Sequence, residues 1–227
     1  MHLTSLFIQI HPSLYERNPA DTGLGKKIIS GAIQLIDELG FEAFTFKKLG
    51  NLIGAPESSI YRYFKNKHQL LMYLTNWYWG WLSYKLQVGT LNLQNSEEKL
   101  DKALDILLNK VEKDADFKYI DEQALYRISI AESVKAFHTK LVDEENDKGY
   151  FDRYKQLVKQ VSQMILAINP AYPYPMLLTT TIIEGINQQR FFETHLPALI
   201  DLPDYNTIKN FYKKLVKNNI GINIKKK

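Results

Sequence analysis

Apolar residues recur three and four positions apart along most of this chain, and that spacing predicts helices. Ile29, Ala32, Ile33, Ile36 and Leu39 form a first stripe, and Gly40 behind it suits a left-handed C-terminal cap. Leu100, Leu104, Leu107, Leu108 and Val111 form a second, and Ile128, Ala131, Val134, Phe137 and Leu141 a weaker third. Tyr154, Leu157, Val161, Ile165 and Ile168 follow, then Leu178, Ile182, Gly185, Gln189 and Phe192, and last Ile208, Phe211, Tyr212 and Leu215. Breaks fall at residues 91–96, 143–149, 169–175 and 196–204, each carrying turn formers, proline or a charge cluster. Strand-like alternation never extends beyond a few residues. The expected class is all-α.

Between residues 41 and 66 the helices become short. Thr45 is a good N-cap for "FKKLGNLI", Gly54 stops that helix, and "APESSIYRYF" starts another. Helix, tight glycine-containing turn, helix is the outline of a helix-turn-helix. Gly50 lies inside the first of the two, where glycine costs about 1 kcal/mol against alanine. A close approach of the second helix would explain it, although a tolerated surface glycine is the commoner case.

Composition narrows the function classes. Apolar residues make up 45% and charged residues 24%, the balance of a folded domain. There is no cysteine, which excludes disulfides, zinc thiolates and a cysteine nucleophile. No apolar run reaches the length of a membrane helix. The opening residues lack a basic segment and a small-residue cleavage site, so no secretory signal and a cytoplasmic location are expected. The five histidines include no HxxxH or HExxH spacing, "TGLGKK" (22–27) lacks the pattern of a phosphate loop, and no nucleophile elbow is present. No enzyme, metal or cofactor is expected. The net charge of +4 is unevenly spread: residues 24–70 and 205–227 are basic, and residues 71–204 are acidic. Taken alone, such blocks are more often solvated surface than a nucleic-acid footprint.

The stretch "IISGAIQLIDELGFEAFTFKKLGNLIGAPESSIYRYFKNKHQLL", from Ile28 to Leu71, resembles the DNA-binding head of the tetracycline-repressor (TetR) family of transcription regulators. The resemblance rests on the first stripe, the Gly40 stop, Thr45, the Leu49-Gly50 pair, Gly54, the Ile60-Tyr61-x-x-Phe64 core and Lys67. It implies an N-terminal three-helix head (24–70) after an extension (1–23), a larger helical effector-binding and dimerisation domain (71–218), and here a basic tail (219–227). The family commonly has alanine where Gly50 and Ile53 stand, and often serine where Pro56 stands. Pro56 suits a first helical turn but offers no capping oxygen. Glu57 favours the helix dipole and repels phosphates, yet could accept from a cytosine amine.

A recognition helix must be slim where it meets base edges. Ser58 and Ser59 are small and can bond bases or phosphates. Tyr61 and Tyr63 pair a flat apolar body with a hydroxyl. Arg62 and Lys65 can meet the backbone, and Lys47 is a further candidate DNA contact. Ile60 and Phe64, four apart, should be core. The resemblance implies phosphate contacts for Thr45, Tyr61 and Lys67. Tyr73, Trp77, Trp81 and Tyr84 share one helix face, and by resemblance they could line a pocket for an apolar or aromatic effector, with Tyr126 and Phe137. Aromatics at that spacing are more often core.

The stripes on either side of "NPAYPYP" should pack antiparallel and leave an apolar face open. A twofold partner would close it into a four-helix bundle through Tyr154, Leu157, Val161, Ile165, Leu178, Ile182, Gly185 and Gln189. The expected function is a ligand-responsive transcriptional regulator, in the first instance a repressor, binding a pseudo-palindromic operator as a homodimer. The alternative is a helical small-molecule or protein-binding module whose head does not bind DNA. The lysines of residues 222–227 are expected to be exposed and to add only nonspecific attraction to DNA.

Overall fold

The computed structural model describes residues 8–113, 117–200 and 205–221, and among them there is no β-strand. Eleven α-helices are described: α1 (Gly23–Ala43), α2 (Phe46–Ile53), α3 (Glu57–Tyr61), α4 (Lys67–Thr90), α5 (Ser96–Leu108), α6 (Glu122–Ala131), α7 (Ser133–Phe137), α8 (Val142–Asp147), α9 (Asp152–Ile168), α10 (Pro175–His195) and α11 (Tyr205–Asn219). They form two compact units. The first joins Met1–Trp81 to Val111–Tyr154, and the second joins Leu82–Lys110 to Lys155–Lys227.

In the first unit, Thr22 caps α1 by accepting from the Gly25 N–H at 2.9 Å. Ile28, Ile29, Ala32, Ile33 and Ile36 are buried, whereas Leu39, the last residue of the expected stripe, is exposed. The chain leaves the helical path at Gly40, whose φ is +76°, and Phe41 beyond the turn supplies the next buried ring. Thr45 Oγ1 accepts from the Lys48 N–H at 3.2 Å, which makes it the N-cap of α2. Gly54 ends that helix in the left-handed conformation (φ 67°, ψ 37°). A Cβ on Gly50 would lie 2.6 Å from the Ala55 carbonyl oxygen, so the bare position is required by the turn. Gly31 of α1 does the same service for α2: a Cβ there would meet Ile53 Cγ2 at 2.8 Å and Leu49 Cδ1 at 2.9 Å. The large Ile53 is thus accommodated by a missing side chain opposite it.

The third sequence stripe is not one helix. It breaks at Glu132, Ala131 and Leu141 are exposed, and the Val134 side chain lies outside the described residues. Glu132 instead turns a buried carboxylate onto the Phe41 N–H at 3.0 Å. That bond satisfies a backbone donor freed where the helical path breaks at Gly40. The expected break at 143–149 contains the short α8, with its N-terminal turn rich in acid. Residues 8–22 are folded: Ile8, Ile10 and Leu14 are buried, and two 3-10 turns run over Pro12–Leu14 and Pro19–Asp21.

In the second unit, α5 buries Leu100, Leu104, Leu107 and Leu108, and Val111 falls beyond its end. α11 buries Ile208, Tyr212 and Val216, and Ile220 just beyond its end is buried too, while Phe211 is exposed. An ion-pair ladder joins these helices: Lys213 lies 3.0 Å from Asp101 and 2.8 Å from Asp105, with Lys217 on Asp101 and Lys209 on Asp105. Burial would raise both aspartates, but bonds from the lysines outweigh it and hold their pKa values below the ordinary carboxylate range.

The residues named for the dimer interface require correction. Leu157, Val161, Ile165, Leu178 and Ile182 are all buried within the one chain, so they are core. Ser162 and Thr179 link α9 to α10 by a 3.2 Å hydroxyl bond inside that core. Gly185 faces α11, where a Cβ would meet the Tyr212 hydroxyl at 2.5 Å. Gln189 is half-buried. Tyr154 belongs to the first unit, with its ring 4.8 Å from Trp79 and 5.5 Å from Phe137. The open face was expected because a helix pair alone exposes its stripe; α11 covers part of it. The lysines of 222–227 lie outside the described residues.

Candidate nucleic-acid interface

α2 and α3 carry several exposed polar residues. Thr45 and Lys47 are exposed at the start of α2, and Lys48 turns back to the Ala43 carbonyl at 2.8 Å. Pro56 is the N-cap of α3 with extended backbone (φ −64°, ψ 145°) and no side-chain cap. Ser58 is exposed and Ser59 and Glu57 are half-buried. Ile60 and Phe64 are fully buried, as their spacing predicts, and they anchor α3 from beneath. Tyr61 is 49% exposed. Its ring stands edge-on to Phe46 at 5.0 Å, and its hydroxyl donates weakly to Glu57 at 3.4 Å. Arg62 follows, exposed. The face therefore combines hydroxyls, a propped tyrosine and cations, the groups that bond phosphate oxygens.

Two expected DNA contacts are placed otherwise. Tyr63 is only 2% exposed; its hydroxyl bonds Thr22 Oγ1 at 2.8 Å, so it is a core residue. Helical spacing decides this: Tyr63 lies three residues after the buried Ile60 and next to the buried Phe64. The Lys67 ammonium points back into the fold. It donates to the carbonyls of Phe41 at 3.0 Å and Glu42 at 3.2 Å, and lies over the Phe41 ring at 4.6 Å. These carbonyls belong to the turn that ends α1, so the lysine acts as a C-terminal cap for it.

The residues named for an effector pocket are mostly core. Tyr73, Trp77 and Trp81 are buried. Tyr73 packs on Phe64 at 5.4 Å and Tyr15 at 6.2 Å, and burial pushes its phenol well above the ordinary value. Trp77 meets Phe117 edge-on at 5.0 Å. Tyr84, Tyr126 and Phe137 are half-buried; Tyr126 lies 5.9 Å from Tyr78, and Phe137 stacks on Phe151 at 5.3 Å.

Several positioning residues escaped the sequence reading. Asn66 accepts from the Gln69 N–H at 2.8 Å, and Gln69 accepts from the Lys65 N–H at 2.7 Å. Asn66 and Gln69 have the spacing of a capping box, legible in "NKHQ", although Gln69 reaches back one residue further, to Lys65. Arg127 grips Asp37 with two bonds, at 2.9 and 2.6 Å, and Lys135 bridges Glu132 and Glu42. Lys135–Glu132 is a local pair three residues apart, but nothing local in the sequence announces Arg127–Asp37 or Lys135–Glu42. Among the described residues no three histidine, aspartate or glutamate side chains gather as a metal site, and no helix is long and apolar enough to cross a membrane.

Residues 28–74 match the model of the bacterial regulatory proteins of the tetR family. No curated protein matches the chain in sequence. Among solved structures, the fatty acid degradation regulator FadR from Bacillus halodurans is 15% identical, covers 93% of this chain and 98% of its own, and superposes with a TM-score of 0.57. A tetR-family regulatory protein from Rhodococcus RHA1 is 14% identical, with coverage of 91% and 97% and a TM-score of 0.59. AibR, solved in complex with isovaleryl coenzyme A and operator DNA, is 13% identical, with coverage of 84% and 95% and a TM-score of 0.56. At such identities these likenesses establish a shared fold, while the matched segment spans the helix-turn-helix built by α2 and α3. Residues 28–74 therefore match the tetR family, and the chain as a whole shares the fold of TetR-family regulators.

Proposed function

We propose that the chain is a ligand-responsive repressor that binds a pseudo-palindromic operator as a homodimer, with α3 in the major groove. The observation that carries this reading is the exposed set of Ser58 and Tyr61 on one short helix and Arg62 at its C-cap, with Thr45 and Lys47 exposed at the start of α2. Ser58 and Ser59 would read bases. Thr45, Tyr61, Arg62 and Lys47 would hold phosphates and fix the register. The pairing surface is proposed on the outward positions of α9 and α10, Gln163 and Ala167 with Leu177, Thr181 and Gln188, which recur at helical spacing and are all exposed. Leu177, 64% exposed, would be its apolar centre.

FadR is described as a regulator of fatty acid degradation and AibR as a complex with an acyl coenzyme A. By that likeness an apolar, acyl-bearing or aromatic effector is proposed here, taken up beside the half-buried Tyr126 and Phe137. Trp79 lies 5.2 Å from Phe137, so its fluorescence should report occupancy. The test of the DNA reading is a gel shift against duplex flanking the protein's own coding sequence, at rising salt. A retarded complex that dissolves steeply with salt is expected. Failure to bind at low salt refutes the reading and favours a helical binding module.

A further inference from the structure

α3 is only five residues long and has no side-chain cap. A helix that short cannot hold its own pose, since isolated helices below about 12 residues are marginal. Its placement depends on what grips its two ends. At the entry this is the tight turn against Gly50. At the exit it is a segment that lies outside the family-matched residues.

We propose that residues 8–22 are a strap that positions the recognition helix, with Gln69 as the junction through which it acts; this rests on the DNA-binding reading above. The Glu16 N–H donates to the Tyr63 carbonyl at 2.8 Å, and Thr22 bonds the Tyr63 hydroxyl at 2.8 Å. Both bonds fall two residues past the end of α3. Gln69 is 5% exposed and fully committed: Oε1 accepts from the Lys65 N–H at 2.7 Å, and Nε2 donates to the Ser13 carbonyl at 3.1 Å. The same carbonyl accepts from the Tyr150 hydroxyl at 3.2 Å, and Ser13 Oγ donates to the Lys148 carbonyl at 3.0 Å. A continuous line of hydrogen bonds therefore runs from the Lys148–Tyr150 corner, through Ser13 and Gln69, to the exit of α3. The strap is held down along its length. Ile8, Ile10 and Leu14 are buried, Tyr15 packs on Tyr73, and Arg153 donates to the Gln9 carbonyl. Losing it would leave a buried amide and a carbonyl at the α3–α4 corner without partners, and that corner would then shift to recover them. The Tyr150 hydroxyl also interacts with the Gln69 side chain, so Tyr150 braces both the strap and the junction from the corner at 148–150. Displacing the corner at 148–150 is accordingly a route by which another molecule would loosen the recognition helix.

The test uses the full chain and a duplex that the wild type selects from a random library. Tyr150→Phe keeps the ring and removes the hydroxyl that bonds the Ser13 carbonyl and interacts with Gln69; Gln69→Leu removes both junction bonds. Tyr150→Phe should weaken duplex binding about threefold and Gln69→Leu about tenfold or more, from one and two neutral hydrogen bonds. The salt slope should be unchanged, because no phosphate contact is lost. Amide exchange at Lys65 should accelerate in both variants, a readout that general loss of stability would spread over the whole unit instead. If Gln69→Leu does not fold, Tyr150→Phe decides. Wild-type affinity together with wild-type exchange at Lys65 overturns the strap. A wild type that selects no duplex overturns the DNA reading and the strap's role in it, whereas unchanged exchange at Lys65 overturns the strap alone.

Discussion

Gly31→Ala is an informative perturbation because two opposed effects can be weighed from the structure. Alanine in a helix interior is worth about 0.5–1 kcal/mol over glycine. Against that gain, the new methyl would lie 2.8 Å from Ile53 Cγ2 and 2.9 Å from Leu49 Cδ1. Optimal carbon contacts lie at roughly 3.5–4.0 Å, and overpacking of this kind costs about 1–3 kcal/mol. The clash wins, and a net loss of about 1 kcal/mol is expected. Ile53→Ala removes the tighter of the two contacts and leaves a flexible leucine methyl to yield. In that background Gly31→Ala should stabilise by about 0.5 kcal/mol, the helix term alone. The coupling between the two sites is then about 1.5 kcal/mol, well outside the error of additivity for independent sites. Urea unfolding followed by tryptophan fluorescence is the assay, since Trp77, Trp79 and Trp81 all lie in the first compact unit and report its transition. Additive single and double variants would refute the idea that Gly31 makes room for Ile53.

The ion-pair ladder between α5 and α11 should make stability fall with acid. Asp101 and Asp105 have depressed values in the fold, so their contribution is complete above the unfolded carboxylate pKa near about 4 and is lost as pH drops through the folded values. Asp101→Asn with Asp105→Asn should flatten the melting temperature between about pH 5 and 2 relative to wild type. Leu177→Glu should dissociate the proposed dimer in sedimentation while the fold is retained; Ile182→Glu, buried at 1% exposure, should instead unfold the second unit. Lys67→Met should lower the stability of the first unit by about 1–2 kcal/mol through the lost carbonyl bonds. It should weaken duplex binding without changing its salt slope; a slope reduced by about 1 would restore the phosphate role.

The helix-turn-helix was legible because its punctuation is local. Thr45, Gly50 and Gly54 each act on backbone within five residues, and the Ile60–Phe64 spacing fixes which side of α3 is inward. The stripes of α5, α9 and α10 were legible for the same reason. What periodicity could not supply was the partner of each stripe. Leu157, Ile165 and Ile182 read equally well as core or as interface, and only the presence of α11 against Gly185 decides. Tyr63 and Lys67 have the residue types of phosphate ligands, yet Thr22 and the Phe41 carbonyl, each more than 20 residues away in sequence, claim them. The strap escaped for a similar reason: Ser13 and Gln69 form their junction through a backbone carbonyl, which no side-chain pattern encodes.

The central claim, that the face of α2 and α3 holds duplex DNA through phosphates, is tested most directly by the salt dependence of binding for three proteins. Wild type should show a linear fall of log K with log salt. Arg62→Ala should reduce the slope by about 0.9, the value of one neutralised phosphate. Tyr61→Phe should weaken binding about fivefold on every sequence and leave the slope alone, because a neutral hydrogen bond displaces no counterion. A duplex affinity indifferent to salt, or one that neither substitution alters, would contradict the account.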